Sequence, residues 1–168
     1  YIGSSQAGWD IGAIAAKTSD KNKTRNYLVS RVSKDILGGN SIMGISSSSQ
    51  FDESKVYSAF SFDNIYYLHD NLILDYQYVR SINDNISGNG QSLNIEYDSS
   101  FPFIFSYDME VYDKNFDINK VGYNERNNLK NYELSIGYKN TNPLLDVIRK
   151  YRWDLKYNIS ENFENLNI

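Results

Sequence analysis

A chain of 168 residues is long enough for one domain with a sizeable core, and no Pro- or Gly-rich linker divides it. A formal net charge of -4 and a pI near 5.0 argue against nucleic acid as a partner, because scattered Lys and Arg form no basic stripe for phosphates. The absence of Cys excludes disulfides, thiolate zinc sites and Cys nucleophiles, and no apolar run reaches the roughly 18 residues that a membrane helix needs.

The N-terminus lacks the basic and apolar regions of a signal peptide, as expected of a mature protein or an internal fragment. Fifteen Tyr and eight Phe, with abundant Asn and Ser and only two Pro, suit strands joined by polar turns and disfavour long disordered segments. Along the chain, Trp9, Ile11, Ala13 and Ala15 alternate with Asp10 and Gly12, and SDKNK at 19–23 reads as a turn. NYLVSRVSKDI at 26–36 follows, turned by Gly38, Gly39 and Asn40 into SIMGISSSSQ at 41–50, a Ser-rich strand with weak register information. KVYSAFSF at 55–62 precedes NLILDYQYVRSI at 71–82, where Leu72, Leu74, Tyr76 and Tyr78 face away from Asp75 and Gln77.

The Asn and Gly content of NDNISGNG predicts a loop at 83–90, after which Leu93, Ile95 and Tyr97 oppose Asn94, Glu96 and Asp98. In FPFIFSYDMEVYDK, residues 101–114, the apolar face is Phe103, Phe105, Tyr107, Met109 and Val111, and the polar face is Ser106, Asp108 and Glu110. A long polar loop leads to Tyr132, Leu134, Ile136 and Tyr138, opposed to Glu133, Ser135 and Lys139. VIRKYRWDLKYNI at 147–159 sets Tyr151, Trp153, Leu155 and Tyr157 against Lys150, Arg152, Asp154 and Lys156. Roughly nine or ten strands without a helical period predict an all-β antiparallel meander.

Several segments keep their alternation for the 9–11 residues or so that cross a bilayer, against about 5–6 for a strand of a soluble protein. Tyr and Trp recur towards strand ends, where a barrel's aromatic girdle meets headgroups. Arg149 falls on the apolar face near one end of its strand, from which its head group can snorkel to the headgroups. Two kinds of architecture satisfy this pattern: a transmembrane β-barrel with lipid on the apolar face, and a soluble protein, either a β-sandwich whose two apolar faces pack together or a long curved sheet.

NYLVSRVSKDILGGNSIMGI, the strand NLILDYQYVRS beside Asp70 and Asn71, and NFDINKVGYNERNNLKNYELSIGY together resemble an uncharacterised bacterial family. Its members carry an N-terminal domain similar to carbohydrate-binding module family nine, then a C-terminal domain of unknown function regarded as an outer-membrane β-barrel. The most specific piece is Asn115, Phe116, Gly122, Tyr123 and Arg126, and the similarity extends over nearly the whole chain. The resemblance implies a portion of a larger barrel domain in the bacterial outer membrane, with the bilayer and the remaining strands of the barrel as partners and glycans as a candidate cargo. Residues 1–168 are accordingly read as one unit, an internal fragment of that domain.

Candidate chemistry is sparse. His69, the only His, lies in LHDN beside a turn, and no second His or Cys could join it in a metal site. Asp113, Asn115, Asp117 and Asn119 have the spacing of a calcium loop, but Ile118 stands where the sharp turn needs Gly and Asn124 where a bidentate Glu belongs. A polar loop is the plainer reading. Asp108 and Glu110 share a strand face about 7 Å apart, within the range of an inverting glycosidase pair. Lining a polar interior, with Lys150, Arg152 and Asp154, is the plainer role for them. Gly122 is expected to supply a positive φ or a close backbone approach, and Arg126 to stack on Tyr123 or reach a carboxylate. Sequons at Asn22, Asn85 and Asn158 are products of an Asn- and Ser-rich chain. The expected role is non-enzymatic, without a cofactor; a soluble ligand-binding sandwich and a hydrolase using Asp108 and Glu110 are the alternatives.

Overall fold

The computed structural model describes residues 2–20, 23–52, 55–98, 102–140 and 151–166. Among them ten strands form one antiparallel sheet in chain order. They are β1 (Ile2–Gln6), β2 (Trp9–Asp20), β3 (Lys23–Ile36), β4 (Ser41–Asp52), β5 (Lys55–His69), β6 (Leu72–Asn83), β7 (Ile86–Asp98), β8 (Phe103–Tyr112), β9 (Leu129–Asn140) and β10 (Tyr151–Glu161). No α-helix occurs among the described residues; the one helical element is a 3-10 turn at Leu37–Gly39.

The hairpins are tight because their turns use the left-handed region. Ala7 and Gly8, at φ 52 and 73, give β1 and β2 a turn with positive φ at both central residues, the geometry whose twist matches the flanking strands. Asp84, at φ 60, starts the turn between β6 and β7.

Two sequence expectations need correction. Residues 86–90 are strand, not loop: Ile86 pairs with Asn83 and Gly90 with both Val79 and Tyr112, so the loop shrinks to Asp84 and Asn85. β5 continues past Phe62 to His69, although Asn64 interrupts its apolar face. The Asn64 amide is satisfied there, donating to Ser41 Oγ at 2.7 Å and to the Ile42 carbonyl at 3.2 Å. The strand expected at 147–159 is β10, and its first part, with Arg149 and Lys150, lies outside the described residues. β1 and β10 are the two edges of the sheet as described, so it is open rather than closed.

Cross-strand register carries the alternation across the whole sheet. Ile11, Val32, Ile45, Phe62, Tyr78 and Gln91 form one continuous row on the apolar face. Another runs through Leu74, Ile95, Tyr107, Leu134 and Tyr157. At one rim, Tyr138 packs edge-on against Phe103 and stacks near Tyr151 and Trp153, with centroids 5.3, 5.9 and 6.1 Å away. The charged side chains of this face, Lys17, Lys34, Arg80, Lys130 and Glu161, all lie within three residues of a strand end.

Burial is inverted relative to a soluble domain. Only Ile104 and Phe116 are buried hydrophobics among the described residues, and Ile104 is on the polar face. Ile11, Ile45, Phe60, Phe103, Trp153, Leu155 and Tyr157, all on the apolar face, are exposed. The buried strand positions Ser33, Gly44, Gln50, Ser81, Gly88, Gly90, Ile104 and Gly137 share the polar face, and Ser41 alone belongs to the other. The accessible surface is 11658 Å². A compact monomer of this mass would expose about 8,500 Å².

Candidate functional site

The polar face is held by ion pairs and amides that cross between strands through gaps left by glycines. Arg31 on β3 reaches over β4 to Asp63 on β5, donating two parallel hydrogen bonds of 2.7 and 2.6 Å. Gly44 makes the crossing possible, since a Cβ there would lie 2.4 Å from the guanidinium and 2.7 Å from the carboxylate. Gly137 on β9 leaves room of another kind, letting Asp154 of β10 and Ile104 of β8 close in over it, since a Cβ there would meet Asp154 at 2.4 Å and Ile104 at 2.6 Å.

One row of this face runs Asp75, Asn94, Asp108, Glu133 and Asn158, and the next runs Asp63, Gln77, Ser92, Glu110, Asn131 and Ser160. Asn94 Nδ2 donates to Asp108 Oδ1 at 2.6 Å, and Lys156 Nζ donates to Glu133 Oε1 at 2.9 Å. Arg152 Nε donates to both carboxylate oxygens of Asp154, at 3.0 and 2.9 Å. Tyr112 Oη lies 3.5 Å from Glu110 Oε1. Asp108, Glu110, Arg152 and Asp154 therefore share one face, as their parity requires.

The five motif residues Asn115, Phe116, Gly122, Tyr123 and Arg126 all lie in residues 113–128, between β8 and β9, and this segment folds onto the polar face. Phe116, 2% exposed, stacks on Tyr112 with centroids 5.2 Å apart and planes at 10°. Its bed is Gly88 and Gly90 of β7. A Cβ on Gly88 would stand 2.2 Å from Phe116 N and 2.3 Å from Asn115 C, and one on Gly90 would stand 2.9 Å from the Phe116 ring.

Hydrogen bonds fix the segment at both ends of this contact. Asn89 N donates to Asp113 Oδ2 at 2.7 Å, Asp113 N to the Asn89 carbonyl at 3.0 Å, and Asp117 N to Ser81 Oγ at 3.1 Å. Asn83 Nδ2 donates to the Asp117 carbonyl at 2.8 Å, and Lys120 Nζ sits 5.8 Å from the Tyr57 ring centroid, so the segment reaches across to β5.

The spacing that suggested a calcium loop has another use. Asp113 Oδ1 accepts from Asn115 N at 3.0 Å and Asp117 Oδ1 from Asn119 N at 2.9 Å, which are Asx turns. Gly122 has neither a positive φ nor a close backbone approach: the nearest backbone atom to where a Cβ would be, the Ile118 carbonyl oxygen, is at an ordinary contact distance of 3.7 Å, and only the flexible Ile118 Cδ1, at 3.3 Å, is nearer. Tyr123 is 79% exposed, and the exposed Arg126 guanidinium has no carboxylate partner among the described residues. His69 is the exposed last residue of β5.

At the chain's far end, Glu164 accepts from Asn128 Nδ2 and pairs with Lys114, tying residues 162–166 to the same segment. Hydrogen bonding to Lys114, then to Asn128, holds the Glu164 carboxyl below the usual carboxylate range.

Glycine, Asn and Ser dominate the seat, and for that reason it reads as loop in the sequence. The usable signal was the spacing of Gly88 and Gly90, two apart and thus on one strand face, opposite a long segment with a single Phe.

No curated protein and no solved structure matches the chain. Residues 62–168 match the model of a family described as a domain of unknown function, DUF5916. The match begins within β5, so the run at 26–45 that also suggested a resemblance lies outside it. With most of its length inside that match, the chain belongs to the DUF5916 family.

Proposed function

We propose that this chain is a segment of a bacterial outer-membrane β-barrel, with its apolar face against lipid and its polar face lining a hydrated interior. The observation that carries the reading is the apolar face itself. From β2 to β10 the strands are 10 to 15 residues long. A tilted transmembrane strand needs about 9–11. Their apolar side chains have no covering layer among the described residues, and charges on that face are confined to strand ends, from which Lys and Arg can snorkel to headgroups.

Crowding on the polar face supports the same reading, because a sheet curled towards that face compresses its side chains and spreads those of the other. Ion pairs such as Arg31–Asp63 and Lys156–Glu133 suit a wet interior. Closure calls for further strands beside β1 and β10, since an open edge in hydrocarbon leaves backbone groups unsatisfied at several kcal/mol each.

Cell fractionation of the full-length protein, followed by gel mobility with and without boiling, tests the proposal. Recovery in the outer membrane with a heat-dependent shift is expected. Recovery as a soluble monomer that refolds without detergent contradicts it.

A further inference from the structure

A hydrated interior would be open along its length if the polar face were bare, but residues 113–128 fold over it. We propose that this segment is a fixed constriction, seated in a glycine notch of β7 and narrowing the interior so that it limits the size of the solute that passes. The inference rests on the membrane reading above.

Three observations carry it. First, Gly in the middle of a strand weakens the strand, and Gly88 and Gly90 stand on one face directly under the segment. The atoms against Gly88 are backbone, Phe116 N and Asn115 C and O, so any side chain there would lift the segment rather than rotate a neighbour aside.

Second, the seat is built as an interior surface. Ser81 is 1% exposed, its hydroxyl accepts from Asp117 N, and Phe116 is buried on the face that otherwise carries carboxylates. A loop that swung out into water would expose that Phe and uncover the Ser81 hydroxyl.

Third, the segment satisfies much of its own backbone, with Asn128 N bonded to the Asp113 carbonyl at 3.2 Å, Gly122 N to that of Ile118 at 2.7 Å and Asn124 N to Asn119 Oδ1 at 2.9 Å. That is the construction of a compact Ω-like loop, not a flap. Beside it remains a cleft of about 640 Å³, bounded by Glu110 and Asn131 on the sheet and by Tyr123 and Arg126 on the segment. Those side chains are polar, so the space left open suits hydrophilic solutes.

The test uses full-length protein in planar bilayers, comparing wild type with Gly88→Val and with a second variant in which a Gly-Ser linker replaces residues 117–125. Single-channel conductance and the largest polyethylene glycol that enters are measured, and heat-dependent gel mobility reports that the barrel is intact. Conductance at least twofold higher and entry of larger polymers in the linker variant, with conductance lowered in Gly88→Val because its segment is lifted off the wall into the interior, and mobility unchanged in both, is the expected result. Equal conductance in all three proteins with mobility intact, including none in any, overturns the constriction and leaves the barrel standing. Wild-type protein without a mobility shift fails the barrel reading itself, and the constriction falls with it.

Discussion

Phe116→Ala isolates the seat of the 113–128 segment from the rest of the sheet. The ring is 2% exposed and stacked on Tyr112, with the backbone of β7 beneath it. Truncating a buried Phe to Ala costs about 3–5 kcal/mol. The loss falls on local opening rather than global unfolding, because the ladders from β2 to β6 do not involve it. At 1.4 kcal/mol for each factor of ten, amide protection at the seat should fall by about two to three and a half orders of magnitude. Native-state hydrogen exchange reads this at Asn89 and Asp117, whose N–H groups donate to Asp113 Oδ2 and Ser81 Oγ. Amides of β3 and β4 should keep their wild-type protection. Tyr123→Ala, at a side chain 79% exposed, should change neither set. A fall of less than tenfold at Asn89 and Asp117, or an equal fall in β3 and β4, would refute the seating of Phe116.

Other consequences follow from the two faces and the tether. Ile136→Arg, well inside β9 on the apolar face, should lower unfolding stability in phospholipid vesicles by about 2–4 kcal/mol, whereas Ser106→Arg, opposite Glu96 on the polar face, should stay within about 0.5 kcal/mol. Arg31→Met removes the bidentate partner of Asp63, and because the Arg31 side chain is 46% exposed the loss should be about 0.5–1 kcal/mol by denaturant midpoint, shrinking as salt is added. A carboxyl held lower in the folded state than in the unfolded one stabilises above its unfolded pKa and loses that contribution as pH falls through the folded value. The Glu164 tether to Lys114 should therefore hold at neutral pH and release only on acidification below the ordinary carboxylate range, and carbon-13 titration of Glu164 should move towards the ordinary value in Lys114→Met.

Period-two alternation was legible in the sequence because each strand face is chemically uniform, so Leu72, Leu74, Tyr76 and Tyr78, or Phe103 through Val111, fall where their parity puts them. It failed where a residue answers to a neighbour rather than to its own strand. Gly88 and Gly90 look like loop residues because their reason for being small lies in Phe116, well over twenty residues away. Asn64 breaks the apolar face of β5 because its partners, Ser41 and Ile42, are on β4. The same limit applies to the motif: Asn115, Phe116, Gly122, Tyr123 and Arg126 stand out through the family resemblance, but that Phe116 points into the polar face is a matter of tertiary contact. Arg31 and Asp63 likewise give no local sign that they form a pair across an intervening strand.

The most direct test of the two-faced account is a pair of spin labels on adjacent residues of one strand. Phe105→Cys and Ser106→Cys lie on opposite faces of β8, in a stretch with no native Cys to compete for label. In full-length protein reconstituted into vesicles, the label at 105 should relax faster with oxygen dissolved in the lipid, and the label at 106 with a water-soluble nickel complex. Nickel reaching both positions equally would mean that the apolar face lies in water, and oxygen failing to reach 105 that protein covers it; either result contradicts contact with the bilayer.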